Sequence, residues 1–196
     1  MVNFLTLSFA AVACLTPIAG AVPTTARDVA AGAPEPFSFA KWVDEIIANP
    51  EKAATPQQAL DAYYAYVNSS TSSDHVFPET ASKMRKRLTC NQLYGGEAPI
   101  PDAVECINYL ARLNTKKCEV YKGSDHVSFW THGNAEMIGI RPDYNSASTI
   151  CNNVARAGGK VMDACSRADN TVQGQDTTPD NASIAVHIIK KGRGPK

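Results

Sequence analysis

No charged side chain occurs in the first 21 residues of this chain, and no later stretch is apolar for long enough to cross a membrane. Charge of neither sign prevails: 19 Lys and Arg balance 19 Asp and Glu, so a nucleic acid or an anionic membrane is not implied as a partner. There is no C-x-x-C and no Cys/His pair at zinc spacing, so no metal is expected. G-x-S-x-G, H-E-x-x-H and the P-loop are missing as well. Those hydrolase and nucleotide-binding mechanisms have no sequence warrant, and no cofactor is expected.

What is present begins with an uncharged apolar run, Met1 to Ala21, interrupted by Thr6, Ser8, Thr16 and Pro17 and closed by Ala19-Gly20-Ala21. It is short for a bilayer span of about 20 residues and ends in the small residues that signal peptidase accepts. Residues 1–21 are therefore expected to be a signal peptide, the protein to be secreted and extracellular, and Cys14 to lie outside any disulfide framework.

A second boundary lies in Ser82-Lys83-Met84-Arg85-Lys86-Arg87-Leu88-Thr89-Cys90, where a helix-like, cysteine-free segment gives way to cysteine-rich sequence. Lys86-Arg87 reads as a processing site for a subtilisin-type protease of the secretory pathway, and the polar stretch Ser69 to Asp74 upstream favours exposure. The expected organisation is a signal peptide 1–21, a pro-segment 22–87 and a mature domain 88–196. The pro-segment has seven Lys/Arg against eight Asp/Glu and the mature part twelve against eleven, so neither is a polyelectrolyte. The tail cations Lys190, Lys191, Arg193 and Lys196 are expected on a solvated, frayed terminus, with a partner patch as the alternative.

The pro-segment opens on an Ala/Pro/Gly-rich linker to Pro36. Ser38 is placed to cap a helix from Phe39 to Ala48 in which Trp42, Val43, Ile46 and Ile47 share a face, and Asn49-Pro50 stops it. Thr55-Pro56-Gln57-Gln58 supplies a cap, a first-turn proline and a capping-box glutamine for a helix to about Val67, with Leu60, Tyr63, Tyr64 and Val67 as its apolar stripe. Two such helices bury little alone. Their apolar faces are expected to rest on each other or on the mature domain, as a folding aid or an inhibitory cover.

In the mature part, Asp102 with Glu105 three residues on starts a helix whose apolar face is Val104, Cys106, Ile107, Leu110 and Leu113. Cys118–Tyr121 and Val127–Trp130 read as a hairpin, and Glu136–Ile140 as a third strand after a Gly133-Asn134 turn, with Ile138 and Ile140 facing a core. Arg141–Ser148 reads as a polar loop, with Ser148 capping a long helix from about Thr149 to Ala168. Cys151 and Cys165, fourteen residues apart, face inward on it. Gly158-Gly159 costs helix propensity there but admits the close approach of another backbone. A short strand at Thr171–Gln173 follows. In the final strand Ile184, Val186 and Ile188 alternate and His187 lies on the opposite face. The expected fold class is α+β, a small disulfide-stabilised two-layer sandwich with two helices on one face of a mostly antiparallel sheet.

Cys90, Cys106, Cys118, Cys151 and Cys165 are an odd number in a small secreted domain, so one thiol is free or intermolecular, and fifteen two-bridge frameworks are open. Asn68 and Asn181 sit in glycosylation sequons. For an acid–base nuclease the candidates are His126, His132, Glu136, Arg141 and His187. Placing Glu136 with Ile138 and Ile140, and His187 opposite the apolar face of its own strand, separates the pair unless a bulge or strand end intervenes. The exposed candidates for partner contact are Trp130, His132, Arg141, Tyr144 and the basic tail residues Lys190, Lys191 and Arg193.

Four features together resemble the kexin-processed, small cysteine-rich secreted proteins of filamentous ascomycete fungi. They are the phrase from Phe37 to Pro50, the Lys86-Arg87 junction, Asp102 to Leu110, and Asp169 to Gly174. The mature half is more loosely similar to the killer toxins of smut fungi, through a cysteine-bearing helix, strands about a Gly-Asn turn, a helix with a cysteine at each end and a closing strand. The resemblance implies a non-enzymatic effector or toxin released by a kexin-type protease and directed at a host or a competing microbe. A cell-surface binding module and a secreted ribonuclease-like toxin are the alternatives. Relatives tend to have a cysteine where Trp130 stands. That implies bridges among Cys90, Cys106, Cys151 and Cys165, and Cys118 as an unpaired thiol open to dimerisation.

Overall fold

The computed structural model describes residues 36–69, 88–91, 96–141, 143, 145–180 and 184–194. The stretch 1–21, the Lys86-Arg87 junction, Tyr144 and Asn181 lie outside them.

Two helices come first, and local sequence explains both. Helix α1 (Phe39–Ala48) begins where the Ser38 hydroxyl accepts the Lys41 N–H, and it ends at Asn49. Phe39, Trp42, Val43 and Ile46, spaced i, i+3, i+4, i+7, are all buried. Helix α2 (Pro56–Ser69) opens on a capping box: the Thr55 hydroxyl accepts the Gln58 N–H at 3.3 Å, and the Gln58 side chain accepts the Thr55 N–H at 2.9 Å. The Trp42 indole donates to the Ala54 carbonyl at 2.8 Å, tying α1 to the start of α2.

Next come β1 (Thr89–Cys90), β2 (Ala98–Pro99), α3 (Ile100–Ala111), β3 (Lys117–Val120), β4 (Val127–His132), β5 (Ala135–Ile140) and β6 (Ala147–Ile150). They are followed by α4 (Cys151–Cys165), β7 (Thr171–Val172), β8 (Gly174–Thr177) and β9 (Ala185–Lys190). A five-stranded sheet runs β1-β8-β9-β5-β4, and β2–β7 and β3–β6 form two-stranded ribbons. Every pairing in these sheets is antiparallel. The fold is α+β and disulfide-stabilised. Helix α3 packs on β4 and β5 and helix α4 on β8 and β9, while α1 lies on α4 and α3.

Several local expectations need correcting. Strand β3 pairs with β6, not β4: Cys118 is opposite Thr149 and Glu119 opposite Ser148. The alternation in 118–121 and 127–130 does not specify a partner, and a covalent bond across the ribbon's end selects the long-range one. Residues 147–150, expected as a loop and helix start, are thus a strand, and α4 begins only at Cys151, with Ile150 as a cap lacking a side-chain bond. Helix α3 starts two residues before Asp102, with Pro99 as cap and a proline in its first turn. The Asp102 carboxylate instead accepts the Asn134 N–H at 2.7 Å, fixing the β4–β5 turn. Gly133 in that turn has φ +50°, and a Cβ there would run into the Asp102 carboxylate. Through Gly194 the basic tail is not frayed: Lys191 N–H bonds to Asn134 O at 2.8 Å and Gly192 N–H to the Glu136 carboxylate at 2.9 Å.

The apolar faces of α1 and α2 rest on the helices that follow, one of the expected arrangements, and add a third layer to the two of the expected sandwich. Phe39, Trp42, Val43, Ile46, Ala59, Leu60 and Tyr63 join Ile107, Leu110, Val154, Met162 and Ile188 in a single hydrophobic core. The close approach expected at the paired glycines is made by α1: a Cβ on Gly159 would stand 2.9 Å from Ala40 Cα and 3.1 Å from Phe39 O. Helix propensity alone makes Gly159→Ala stabilising by about 1 kcal/mol. The contact with the α1 backbone reverses the sign, and a net loss of about 1–3 kcal/mol is expected, measured by urea unfolding.

Candidate functional site

Sulfur positions α4. Cys151, its first residue, is bonded to Cys118 of β3, and Cys165, its last, to Cys90 of β1. The bridges span 33 and 75 residues, and closures of this size typically contribute ~2–4 kcal/mol each. Cys118 is therefore bonded, and its role as a free thiol and dimer link is corrected: antiparallel pairing with β6 carries it to the start of α4. Among the described residues the unpaired cysteine is Cys106 on α3, with no solvent exposure. Burial, reinforced by the negative Asp102, Glu105 and Glu136, outweighs a backbone hydrogen bond at His132 and pushes its thiol up to about 12. Thiol reagents are expected to leave Cys106 untouched in the native protein and to modify it on unfolding. Alkylation followed by peptide mapping checks this, and alkylated Cys118 would overturn the bridge.

Face by face, the sheet decides what the acid–base candidates do. Ala135, Met137, Val186 and Ile188 point to the helices. The register Glu136↔Ile189 and Ile138↔His187 puts Glu136, Ile138, His187 and Ile189 together on the other face, without a bulge. The expected separation of Glu136 from His187 is thus overturned. Strand β5 is central and buried on both sides, so its isoleucines do not mark the helix-facing side. Glu136 receives the Gly192 N–H, and His187 is 5% exposed between Ile138 and Gln175. The other candidates lie apart from this pair. His132 is exposed at the end of β4 in register with Ala135, on the helix side, and His126, half-buried, precedes β4 under Gly194. Arg141 is engaged by Asp143 in a two-pronged pair at 2.6 and 2.7 Å, which holds the Asp143 carboxyl well below the usual carboxylate range.

Among the exposed partner candidates, Trp130 is 36% exposed, and its indole stacks on the Tyr109 ring of α3 with centroids 3.5 Å apart and planes 12° from parallel. The side chains of Lys190, Lys191 and Arg193 face solvent. Asn68 is exposed in the last turn of α2. A hollow of about 230 Å³ beside the β3–β6 ribbon is lined by Glu119, Val120, Tyr121, Ser146, Ala147 and Ser148 and includes none of the candidates.

Sequence reasoning did not single out the polar groups that meet α1 and α2. The Asp163 carboxylate, in the last turn of α4, accepts the Phe39 N–H at 2.6 Å, the Ala40 N–H at 3.1 Å and the Ser38 hydroxyl at 2.7 Å. Arg156 pairs with Asp44 at 2.8 Å and continues through Asn153 and Thr149 to Asp180. Arg112 donates to Pro50 O at 3.0 Å, and the Tyr64 hydroxyl to Asn170 at 2.5 Å. Ser166 bonds the Tyr63 hydroxyl, whose pKa burial raises. One sequence signal did exist: a carboxylate at a helix C-terminus is disfavoured by the helix dipole and implies a local positive partner, here the N-terminus of α1.

These features define a disulfide-braced α+β domain with a two-helix segment seated on its helical layer. Residues 85–190, more than half of the chain, match the family described as "Domain of unknown function (DUF8794)", and the chain belongs to that family. The match starts at the basic junction and leaves α1 and α2 outside it. No curated protein and no solved structure matches.

Burial lowers the His187 pKa to about 4 from its ordinary 6.5. The folded protein then holds His187 neutral while the unfolded chain takes up a proton below 6.5. Stability is thus complete above that pH and falls as pH drops towards 4, by on the order of 3 kcal/mol. His187→Leu is expected to abolish this part of the pH dependence, read from urea midpoints at pH 7 and 4.5.

Proposed function

We propose that this chain is the precursor of a secreted, non-enzymatic effector or killer-toxin-like protein, released by cleavage after Arg87 and acting on a host or a competing microbe. The observation that carries the reading is the pair of bridges at the two ends of α4, a framework suited to an oxidising, extracellular setting. The uncharged apolar start of the chain and a family match beginning at Arg85, beside Lys86-Arg87, support it. In this reading residues 88–196 are by themselves the two-layer sandwich, α3 and α4 on one face of the antiparallel sheet. Residues 22–87 are the pro-segment, and Asn68 and Asn181 take glycans during secretion.

A non-enzymatic role fits the separate engagements of the acid–base groups. Arg141 is paired with Asp143, Glu136 is bonded to the tail, and His187 is nearly sealed. A second reading, a cell-surface binding module, draws on the exposed Trp130 stacked on Tyr109, a preorganised aromatic surface. Intact mass of the protein recovered from the producer's medium, with and without reduction, tests the proposal. A chain beginning at Leu88 that gains about 4 Da on reduction, the four hydrogens of two bridges, is expected. That species should injure host tissue or inhibit competing microbes. A chain beginning near Val22, or an inert mature domain, overturns the proposal, and binding to cell walls lost in Trp130→Ala favours the second reading.

A further inference from the structure

The helical layer of the family domain is covered by a segment that lies outside the family domain, and the fit between them is specific. Phe39, Trp42, Val43 and Ile46 are each 2% exposed or less, in one core with α3 and α4. Removing the segment would leave a continuous apolar face on α3 and α4 in water. Three further features of the domain point at the same segment. Asp163 accepts three hydrogen bonds at the start of α1, Gly159 lacks the side chain that would collide with Ala40, and Arg112 donates to Pro50 at the segment's turn. Asp163 lies at the end of α4 where its own helix disfavours a carboxylate. Its bonds to 38–40 give its position there a physical reason.

We infer that the α3/α4 face is a docking site for residues 36–69 of this chain, which stay bound as a separate, non-covalent subunit after the chain is cut at Lys86-Arg87. Every cysteine from 88 onward lies in the domain and none in 36–69, so no disulfide joins the two pieces. The side chains of Phe39, Trp42, Val43 and Ile46, buried in one core with α3 and α4, and the Asp163 cap hold them instead. The working form is then two chains. The surface left for a target is the one the segment does not cover, including Trp130 and the basic tail.

This inference rests on the processing proposed above, and the test separates the two. The full chain from Val22 is treated with a Lys-Arg-specific processing protease, and a second version has an orthogonal protease sequence inserted after Arg87. Each is run under native conditions by size exclusion and native mass spectrometry, and again in denaturant. One native species containing both fragments at 1:1, separating only in denaturant, is the expected result. Asp163→Ala should speed release of the segment by about tenfold, the effect of losing an N-cap interaction. Fragments that part at once in native buffer, from a domain that remains folded, overturn the docking inference. A Lys-Arg junction that resists its protease overturns the processing reading alone, because the inserted site still decides whether the cut segment stays.

Discussion

Helix α4 is fixed at each end by sulfur and along its length by the backbone of another helix, and the placement of the other elements follows from that. The bridge from Cys151 brings the β3–β6 ribbon to its start, and the bridge from Cys165 brings the sheet-edge strand β1 to its end. Between them the paired glycines serve opposite neighbours. Gly158 lies under Met137 and Ile107, towards the sheet and α3, while Gly159 lies under Ala40 of α1. A helix with no side chain at either position can be packed tightly from both sides, which is how two layers become three.

The same arrangement blurs the line between the two-helix segment and the family domain. By sequence family the domain begins at the basic junction; by packing, the hydrophobic core begins at Phe39. The two statements are compatible, because a family boundary follows chain continuity and a core follows apolar contact. Polar pairing follows the core. Asp163, Arg156 and Arg112, all within the family domain, face α1 or its turn. The exposed Arg156–Asp44 pair adds little to stability, whereas the partly buried, charge-assisted cap at Asp163 orients the helix.

On the far face of the sheet the arrangement follows from register. Strand β5 has neighbours on both edges and cover on both faces, so Glu136 and His187 share a face there with Ile138 and Ile189, and the tail residue Gly192 closes on the carboxylate. Burial keeps His187 neutral, and hydrogen bonding holds Glu136 to the tail. That combination ties the tail at Gly192 to the sheet and links the fold's stability to pH.

The sequence by itself determined the features set by neighbours along the chain. These are the Ser38 cap and the Asn49 stop of α1, the Thr55/Gln58 capping box, the inward-facing Cys151 and Cys165, the Gly133-Asn134 turn, the alternation of β9, and the need for a close neighbour at Gly158-Gly159. Each is a local rule of capping, periodicity or backbone freedom, legible without a partner in view. Tertiary structure alone decided the rest. It chose β6 rather than β4 as the partner of β3, bonded Cys118 rather than Cys106, brought Glu136 and His187 to one face, and identified α1 as the backbone that fills the space over Gly159. The physical reason is common to all four. Strand pairing, sulfur pairing and helix docking are selected by the lowest free energy among many long-range contacts, and a short alternating or amphipathic pattern is compatible with several of them.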